Sequence, residues 1–372
     1  MGWSRRATGV THYDPGRAYR GYTLFAPNDG EDAYLIDMEG DIVHRWRCPD
    51  GIGQGDLLPN CNLLLRTPRS ADSGGFPGVP ASGAVQELNW DGEVVWEYRD
   101  PNLRRYSRLP NGNTLLLIWE EISIDKSRHI QGGFTTPTDP ERLLGDLVVE
   151  MTPDGSIVYE WHSSDHLDPE QDIICPLENR TSWGGANDIT ALDDGSFLIS
   201  FRVLDTAALV DRSSGRFAWK WGRGQISHQH HPTPLANGHV LLLDNGAHRR
   251  GLSYSRVVEV DIGTSEIVWE YHGEPLSSFF THFTGGAQRL PNGNTLICEG
   301  YEGRLFEVTP TGTVVWEYIS PFFRQDVQGY ANRVFRTQRY DPDYAGLAGR
   351  DLDPGQYPNL NRLYNGRSYR MV

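Results

Sequence analysis

Residues 92–98 read Gly-Glu-Val-Val-Trp-Glu-Tyr, and residues 312–318 read Gly-Thr-Val-Val-Trp-Glu-Tyr. Four related segments lie elsewhere in the chain, each with a turn, then β-branched or aromatic residues, then a tryptophan. The six tryptophans lie 47 to 65 residues apart, at Trp46, Trp96, Trp161, Trp219, Trp269 and Trp316. A unit that recurs at this period is typical of a repeat fold built from one kind of supersecondary unit.

Each tryptophan segment follows another short strand, and an Asp-Gly, Glu-Gly or Thr-Gly turn of the type that closes a hairpin joins most of these pairs. A second hairpin lies between successive tryptophan segments. Its clearest copies read Leu-Pro-Asn-Gly-Asn-Thr-Leu at residues 109–115 and 290–296. Two hairpins in each repeat predict a four-stranded antiparallel sheet, and radial packing of such sheets gives a propeller.

The sequence therefore predicts an all-β fold, a six-bladed β-propeller of four-stranded antiparallel blades. An open β-sandwich is the alternative fold. We expect a single domain over residues 1–372, with blades over residues 20–340 and a C-terminal tail over residues 341–372 that wraps the surface. The sixth inner hairpin has no recognisable motif, so we expect residues 332–337 to pair with residues 21–26. That pairing closes the ring with the N- and C-terminal strands and removes a free sheet edge.

Composition limits the class of function. The 372-residue chain carries a formal net charge of −15 and contains no Lys/Arg-rich run. We therefore expect neither a nucleic-acid partner nor an anionic membrane surface. No apolar stretch follows Arg5 and Arg6, so we predict no signal peptide and a cytoplasmic location. The four scattered cysteines favour reduced thiols over a disulfide framework.

The segments that lead into the inner hairpins should converge at one mouth of a central channel, and three histidines lie in one of them, at residues 228–231. An imidazole can act as nucleophile, base or metal ligand. The alternative is that these histidines are structural and bind the loop backbone. We predict no firm cofactor, but a divalent metal is possible. Its candidate ligands are His228, His231, His282 and Asp56.

Several arginines are predicted near the same channel, and guanidinium groups bind sulfate, phosphate and carboxylate in bidentate fashion. They favour a small anionic organic substrate, although salt bridges between blades are the alternative role. The predicted catalytic residues are His230, Arg202, Asn187, Arg105 and Tyr106. The predicted substrate-binding residues are Arg104, Arg108, Gln288, Tyr330, Asn332 and Arg336. Two insertions, over residues 120–145 and 163–186, are interpreted as functional or covering loops.

These motifs resemble the arylsulfotransferase family. The resemblance covers roughly residues 20–340 and rests on Gly-Tyr-Thr-Leu-Phe-Ala-Pro at residues 21–27, on the Leu-Pro-Asn-Gly units, and on the segment that runs from His230 to Leu-Leu-Leu-Asp-Asn-Gly. It implies a propeller enzyme that moves a sulfuryl group between phenols through a sulfohistidine. The nucleophile would be His230 in Gln229-His230, and Arg202 in Ser-Phe-Arg would neutralise the sulfuryl oxygens.

The chain departs from this family pattern at two histidine positions. Where the family has Trp-Thr-His-x-Asn, residues 183–187 read Trp-Gly-Gly-Ala-Asn, so that Gly185 stands in the place of the histidine. Before the second Leu-Pro-Asn-Gly, where relatives have histidines, residues 103–105 read Leu-Arg-Arg. These departures predict a changed substrate, a changed reaction or a lost activity.

Three classes of function stay open at this stage. The first is an enzyme acting on an anionic aromatic or sugar-derived small molecule at the channel mouth, most specifically by sulfuryl transfer through His230. The second is a lyase, lactonase or hydrolase on the same fold, with histidines as bases or metal ligands. The third is a non-catalytic ligand-binding propeller.

Overall fold

The structure, a computed structural model, describes residues 7–68, 74–76, 79, 81–136, 142–326 and 329–364. This part of the chain is mostly β-strand, with two short α-helices, α1 (Ile124–Ser127) and α2 (Pro358–Tyr364). Six antiparallel sheets, each with a four-stranded blade and one of them with a fifth strand added, make the protein a six-bladed β-propeller, as the sequence predicts. Among the described residues, we find no helix with the length and apolar character that crossing a membrane requires.

The strands are numbered in chain order. The first ten are β1 (Gly9–Tyr13), β2 (Tyr22–Pro27), β3 (Gly30–Ile36), β4 (Ile42–Ile52), β5 (Gln54–Leu57), β6 (Leu63–Pro68), β7 (Ser82–Leu88), β8 (Val94–Arg99), β9 (Leu103–Arg108) and β10 (Thr114–Glu121). The next ten are β11 (Gly132–Phe134), β12 (Leu144–Met151), β13 (Ile157–His162), β14 (Ile174–Asn179), β15 (Ala186–Ala191), β16 (Phe197–Phe201), β17 (Thr206–Val210), β18 (Phe217–Trp221), β19 (His230–Pro234) and β20 (His239–Asp244). The remainder are β21 (Arg256–Asp261), β22 (Glu266–His272), β23 (Gly286–Arg289), β24 (Thr295–Glu299), β25 (Arg304–Val308), β26 (Val314–Ile319), β27 (Arg324–Asp326), β28 (Gly329–Ala331) and β29 (Val334–Tyr340).

Each blade contains one predicted pair of hairpins. Blade 1 has the order β29-β2-β3-β4, blade 2 has β5-β6-β7-β8, and blade 3 has β9-β10-β12-β13. Blade 4 has β15-β16-β17-β18, blade 5 has β19-β20-β21-β22, and blade 6 has β23-β24-β25-β26. The sequence did not indicate that β1 adds a fifth strand to blade 6, where Val10 lies opposite Tyr318.

The predicted closure by terminal strands is confirmed. Strand β29 runs antiparallel to β2, with Tyr340 opposite Tyr22 and Val334 opposite Pro27. The last strand of the chain thereby becomes the first strand of blade 1. The backbone groups along β2 are paired on both sides, by β29 and by β3, so blade 1 has no open edge at β2.

Contacts between Cα atoms divide the chain into two compact units, each of which is described by itself. One comprises residues 1–68, 85–97 and 284–372, and the other comprises residues 69–84 and 98–283. In the first unit, β29 contacts both β23 and β5; in the second, β15 contacts both β9 and β19. Within each unit, the first strands of neighbouring blades therefore lie side by side. The single-domain interpretation of the chain stays a prediction.

The repeated tryptophans tie one blade to the outer turn of the next. The indole nitrogen of Trp161 donates to the carbonyl oxygen of Gly215 at 2.8 Å, and that of Trp316 donates to the carbonyl oxygen of Met38 at 2.9 Å. Trp219 donates to Oγ of Ser265 at 3.2 Å. A buried indole needs an acceptor for its N–H, and the turn of the adjacent blade supplies one. This contact accounts for the tryptophan in these three blades, whereas the buried indole nitrogen of Trp46 has no such acceptor.

The Leu-Pro-Asn-Gly-Asn repeat also has a physical reason. The glycine of each turn adopts a positive φ, +88° at Gly112, which a side chain disfavours. The asparagine after it reaches the third strand of its own blade. Nδ2 of Asn113 donates to Glu150 at 2.7 Å, and Nδ2 of Asn294 donates to Glu307 at 2.6 Å. The inner hairpin is thus bonded to a buried glutamate in each of these blades.

The two insertions meet each other. Strand β11 of the first pairs in parallel with β14 of the second, with Gly132 opposite Ile174. Arg180 stabilises this small sheet by donating to the carbonyl oxygens of Ser127 and Ile130. Cys175 and Glu178 lie on β14, so the second insertion carries both residues to the site described below.

Candidate functional site

His230 is the first residue of β19, and its imidazole is almost completely buried. Its Nδ1 lies 2.8 Å from the side-chain oxygen of Asn245. The amide nitrogen of Asn245 donates to the carbonyl oxygen of Thr281 at 2.7 Å, so its amide oxygen is the atom that faces His230. That oxygen can only accept, and Nδ1 must therefore carry a proton. In the neutral imidazole the basic lone pair is consequently on Nε2.

A buried hydrogen-bond network holds Asn245 in this orientation. The hydroxyl of Ser255 donates to the carbonyl oxygen of Asn245 at 2.8 Å and accepts the backbone N–H of Thr281 at 2.9 Å. Asn245, Ser255 and Thr281 are all fully buried. These contacts fix both the tautomer and the ring orientation of His230, as the hydrogen-bond partners of metal-bound histidines do.

Gln229 anchors the segment before His230 to blade 4. Its side chain is fully buried, and its Nε2 donates to the carbonyl oxygen of Thr206 at 2.8 Å, to Oγ of Ser200 at 3.0 Å and to the carbonyl oxygen of Phe201 at 3.2 Å. Phe201 is the residue directly before Arg202. The segments that carry His230 and Arg202 are therefore bonded to each other.

Two further predicted residues belong to the same network. Nδ2 of Asn187 donates to the carbonyl oxygen of Gln229 at 2.8 Å. Nε of Arg105 donates to the carbonyl oxygen of Asn187 at 2.8 Å, and its NH1 donates to the carbonyl oxygen of Arg104 at 2.7 Å. The first strands of blades 3, 4 and 5 thus bring Arg105, Asn187 and Gln229 together.

Arg202 follows β16 directly and forms a salt bridge with Glu178 from the second insertion, at 3.0 Å between NH1 and Oε1. About a quarter of the Arg202 side chain is exposed, at 26%. Burial alone would raise the pKa of Glu178, but the hydrogen bond from His228 and the charge of Arg202 outweigh it and lower that pKa to about 2. Glu178 is therefore an anion at neutral pH that fixes the position of the guanidinium.

His228 lies between two carboxylates. Its Nε2 is 2.9 Å from Glu178, and its Nδ1 is 3.1 Å from Asp205, while its ring is fully buried. Burial lowers the pKa of His228, but the hydrogen bonds to Asp205 and Glu178 outweigh that effect and raise it. An imidazolium with both nitrogens bonded has no lone pair to offer. In this protonation state His228 orders the carboxylates, and it can offer a lone pair only after one ring nitrogen releases its proton.

Only one of the predicted metal ligands lies in a cluster with ligand spacing. Among the described residues, the group with that spacing comprises Cys175, His228 and His248, whose ligand atoms lie within 4.8 Å of one another. His231 is buried at φ +56°, and His282 packs edge-on against Phe283 at 4.4 Å between ring centroids. Neither they nor Asp56, which accepts from Gln54 at 3.3 Å, belong to this group.

The other residues predicted on β9 have mainly structural contacts. The guanidinium of Arg104 is buried, forms a salt bridge with Asp146 at 2.9 Å and lies 3.5 Å from the centroid of the Trp119 ring. Tyr106 is buried, and Arg108 donates to the carbonyl oxygen of Gly112 at 2.8 Å. The salt bridge of Arg104 lies within blade 3, because Asp146 is on β12 of the same sheet, and is therefore not the bridge between blades that was the alternative. A substrate role for these three residues stays a prediction.

Four predicted substrate-binding residues lie in the first unit. Gln288 exchanges two hydrogen bonds with the backbone of Arg339, and Nδ2 of Asn332 donates to the carbonyl oxygen of Ser320 at 2.8 Å. Tyr330 is about half exposed, and its ring stacks on that of Phe323. The guanidinium of Arg336 lies 5.5 Å from the ring centroid of Phe335. Their role in binding substrate likewise stays a prediction.

The model of one protein family, arylsulfotransferase (ASST), matches residues 56–321, which is most of the chain. The chain belongs to the arylsulfotransferase family. The match spans blades 2 to 6, including β19 with His230 and β16 with the following Arg202. The family resemblance expected from the sequence is therefore confirmed. No curated protein matches the sequence.

Solved structures are similar to this arylsulfotransferase-family chain at low sequence identity. A protein of unknown function from Bacteroides caccae is similar with a TM-score of 0.54 and 13% identity, over 86% of this chain and 99% of that one. A streptogramin B lyase has a TM-score of 0.47 and 11% identity, over 90% and 93% of the two chains. Virginiamycin B lyase from Staphylococcus aureus has a TM-score of 0.44 and 13% identity, over 89% and 95%. The lyase activity named for the last two is a property of those proteins.

The structure explains how this member of the arylsulfotransferase family departs from the Trp-Thr-His-x-Asn pattern. Gly184 and Gly185 have positive φ values of +90° and +57°. A Cβ at Gly184 would lie 2.4 Å from Oδ2 of Asp146, and a Cβ at Gly185 would lie 2.9 Å from Cγ1 of Val203. Neither position has room for a side chain without a shift of its neighbours.

The two departures are connected through Asp146. Its Oδ1 accepts from Arg104 at 2.9 Å and from the backbone N–H of Ala186 at 2.9 Å. Burial raises the pKa of Asp146, and the Arg104 charge opposes that rise. Arg104, from the segment where relatives have histidines, therefore pairs with the carboxylate that borders Gly184 and accepts the backbone N–H of Ala186. The two sequence changes form one structural unit.

Sequence reasoning missed several residues of this site. Asn245 was within the Leu-Asp-Asn-Gly motif that carries the resemblance, so a cue for it was present. Glu178, Cys175 and His248 had none, because strand β14 and the loop that carries His248 contain no motif, and these residues meet only in the folded chain. His248 and Cys175 are 73 residues apart in sequence, yet their Nδ1 and Sγ atoms are 3.5 Å apart.

Proposed function

We propose that this protein transfers a sulfuryl group from an aryl sulfate to a second phenol through His230. The observation that carries the proposal is the contact between Nδ1 of His230 and the fixed amide oxygen of Asn245. It keeps the proton on Nδ1 and the nucleophilic lone pair on Nε2. Membership of the arylsulfotransferase family supports the same reaction.

The proposed reaction has two displacements at sulfur. Nε2 of His230 attacks the sulfur atom, an N–S bond forms, and the S–O bond to the donor oxygen breaks, so that the donor leaves as a phenolate and takes up a proton. The acceptor phenol then loses its proton and attacks the same sulfur, and the N–S bond breaks. The imidazole is regenerated, and one difficult transfer is split into two easier ones.

Arg202 is the residue proposed to neutralise the sulfuryl oxygens. Its guanidinium is partly exposed, and Glu178 fixes its position. Its chain neighbour Phe201 is bonded to Gln229, the residue before the nucleophile. A positive group held in advance of the reaction stabilises charge that develops in the transition state. A small anionic substrate, aromatic or sugar-derived, is part of this proposal.

Steady-state transfer from p-nitrophenyl sulfate to a phenol acceptor tests the proposal. We expect His230→Ala to lower kcat/KM by at least about a thousandfold. His239→Ala is the matched control, because His239 lies on β20 of the same blade and pairs with Glu259 at 2.7 Å. Transfer by the wild-type protein that is no faster than the reaction without protein would favour a binding propeller, and equal transfer by His230→Ala and the wild-type protein would rule out His230 as the nucleophile. Cleavage without transfer to the acceptor would favour a hydrolase or lyase.

A further inference from the structure

The geometry points to a binding site for a borderline transition-metal ion of the Zn²⁺ class, formed by Sγ of Cys175 and ring nitrogens of His228 and His248. The site does not include His230 and goes beyond the proposed sulfuryl transfer, although it adjoins Glu178, which also pairs with Arg202. Two imidazoles and one thiol are ligands that Zn²⁺ prefers, whereas Mg²⁺ and Ca²⁺ prefer oxygen.

The distances are close to those that a bound ion requires. Tetrahedral Zn²⁺, with Zn–N near 2.0 Å and Zn–S near 2.3 Å, places its ligand atoms roughly 3.3–3.6 Å apart. Sγ of Cys175 is already 3.5 Å from Nδ1 of His248. All three ligand atoms lie within 4.8 Å of one another. A contraction of about 1 Å, within reach of small side-chain rotations, would complete the geometry.

The backbone holds the two histidines in place. His228 and His248 both have positive φ values, +58° and +63°, which are uncommon for residues other than glycine. Their loops are bonded together, because Gly246 donates its N–H to the carbonyl oxygen of Ser227 at 2.8 Å and Oγ of Ser227 donates to Ala247 at 2.7 Å. The two rings consequently meet, with 4.3 Å between their centroids. Strained backbone that directs side chains to one point is a frequent feature of functional sites.

Carboxylates complete the surroundings. Oε1 of Glu178 lies 2.9 Å from Nε2 of His228 and 3.8 Å from Nδ1 of His248, so it can become a fourth ligand. Oδ1 of Asp205 lies 3.1 Å from Nδ1 of His228 and accepts the His228 backbone N–H at 2.8 Å. A carboxylate on the second nitrogen of a ligating histidine is the usual outer partner at zinc sites.

An ion can reach the site from solvent. Cys175, Asp205 and His248 line a cavity of about 780 Å³, together with Arg249 and Tyr254. His248 is exposed on this side, Cys175 is half-buried and His228 is fully buried. The burial of the ligands thus increases from the cavity toward the interior, so a metal ion bound there has one side facing the cavity. Open positions of this kind are found in catalytic rather than structural zinc sites.

Titration of the chelator-treated full-length protein with Co²⁺ tests the site, because Co²⁺ accepts the same ligands and reports a thiolate ligand by a charge-transfer band in the near ultraviolet. We expect one equivalent to bind and Zn²⁺ to displace it. Cys175→Ser should abolish the band, and His248→Ala should weaken binding at least about tenfold. Cys61→Ser is the matched control, because Cys61 is a half-buried thiol of the other unit.

A second measurement needs no variant and keeps the inference testable if Cys175→Ser does not fold. Alkylation of the native protein, followed by peptide mapping, should show that Zn²⁺ protects Cys175 and leaves the alkylation rate of Cys61 unchanged. Equal alkylation of Cys175 with and without saturating Zn²⁺ would overturn the inference. So would stoichiometric Co²⁺ binding without a thiolate band. Because His230→Ala leaves this site intact, loss of sulfuryl transfer and loss of metal binding are separable results.

Discussion

Asn245 fixes His230 through one atom, and this contact is the smallest feature on which the proposed chemistry depends. The amide oxygen can accept from Nδ1 only because the amide nitrogen is committed to Thr281. Asn245 touches no reacting atom in the proposed reaction. It is therefore a positioning residue, and its effect should differ from that of the nucleophile.

Replacement of Asn245 should separate positioning from folding. Asn245→Ala removes the acceptor, frees the imidazole to rotate or change tautomer, and should lower kcat by about 10- to 100-fold. Asn245→Asp keeps an acceptor and adds a negative charge, which favours the imidazolium. It should recover part of the activity. It should also shift the limb of the pH–rate profile on which the rate rises with pH toward higher pH, because the imidazole has to be neutral to attack. The measurement is the pH dependence of kcat with p-nitrophenyl sulfate; an unmoved profile in an active Asn245→Asp protein would argue against the contact.

Gly185 gives a second prediction at the residue scale. Restoring the family histidine with Gly185→His should not restore a catalytic group, because a Cβ there would lie 2.9 Å from Val203 at a φ of +57°. We expect this variant to lose about 1–3 kcal/mol of unfolding free energy, measured with urea, and to gain no transfer rate. Gly155→His is the control, since Gly155 also has a positive φ, +89°, but no atom lies within 4 Å of its Cβ position. A faster and equally stable Gly185→His protein would contradict this account.

The site residues show where reasoning from sequence succeeds and where it stops. The positions of His230 and Arg202 at the ends of inner strands could be predicted, because each lies in a short motif next to a predicted strand, and their catalytic roles stay predictions. Arg104 could not be distinguished from a substrate-binding arginine, because its partner Asp146 lies 42 residues away and the pair forms only on folding. A salt bridge between strands leaves no local pattern, and neither does the convergence of Cys175 and His248.

At the scale of the elements, His44 on β4 joins blade 1 to blade 2. Its ring stacks on Trp90 with 3.7 Å between centroids, and its Nε2 donates to the Trp90 carbonyl oxygen at 3.0 Å. Burial lowers the pKa of His44 to about 4. The blades therefore meet around a neutral imidazole, and protonation of that ring should separate them.

The pH dependence of stability tests this contact. Between about pH 6.5 and 4 the unfolded chain binds a proton at His44 and the folded chain does not, so stability is lost as the pH falls through this window, by up to about 3 kcal/mol. Burial raises the pKa of Asp37 to about 6, so Asp37 contributes to the pH dependence of stability with the opposite sign. The informative quantity is thus the difference in unfolding free energy between the wild-type protein and His44→Gln, measured with urea at several pH values. That difference in unfolding free energy should depend on pH, and a difference that is the same at every pH would argue against this contact.

The elements were largely predictable, because their periodicity is local. Asn-Gly turns with positive φ and alternating apolar strands are read within a few residues, and each predicted hairpin is present. The fifth strand of blade 6 was not predictable, since β1 lies some 300 residues from its partner β26 and has no repeat partner in sequence. The pairing of the two insertions through β11 and β14 could not be predicted for the same reason.

For the whole molecule, the prediction concerns closure by the terminal strands. A chain that stops after Arg333 lacks β29 and leaves β2 with an unpaired edge. It also lacks Arg339, which is buried against Glu307. We expect this truncated chain to aggregate or to lose its cooperative unfolding transition, measured by circular dichroism during urea titration. A chain that stops after Asp353 keeps β29 and should unfold cooperatively. Similar transitions in both chains would show that closure by β29 is dispensable.

The central claim, that His230 carries the sulfuryl group, is tested most directly by trapping the intermediate. The protein is mixed with p-nitrophenyl sulfate without an acceptor, quenched rapidly, and examined by intact mass and peptide mapping. We predict one sulfuryl group per chain on the peptide that contains His230, together with a stoichiometric burst of p-nitrophenol, and neither in His230→Ala. Steady transfer to an added phenol with no adduct on His230, or with the adduct on another residue, would contradict the account.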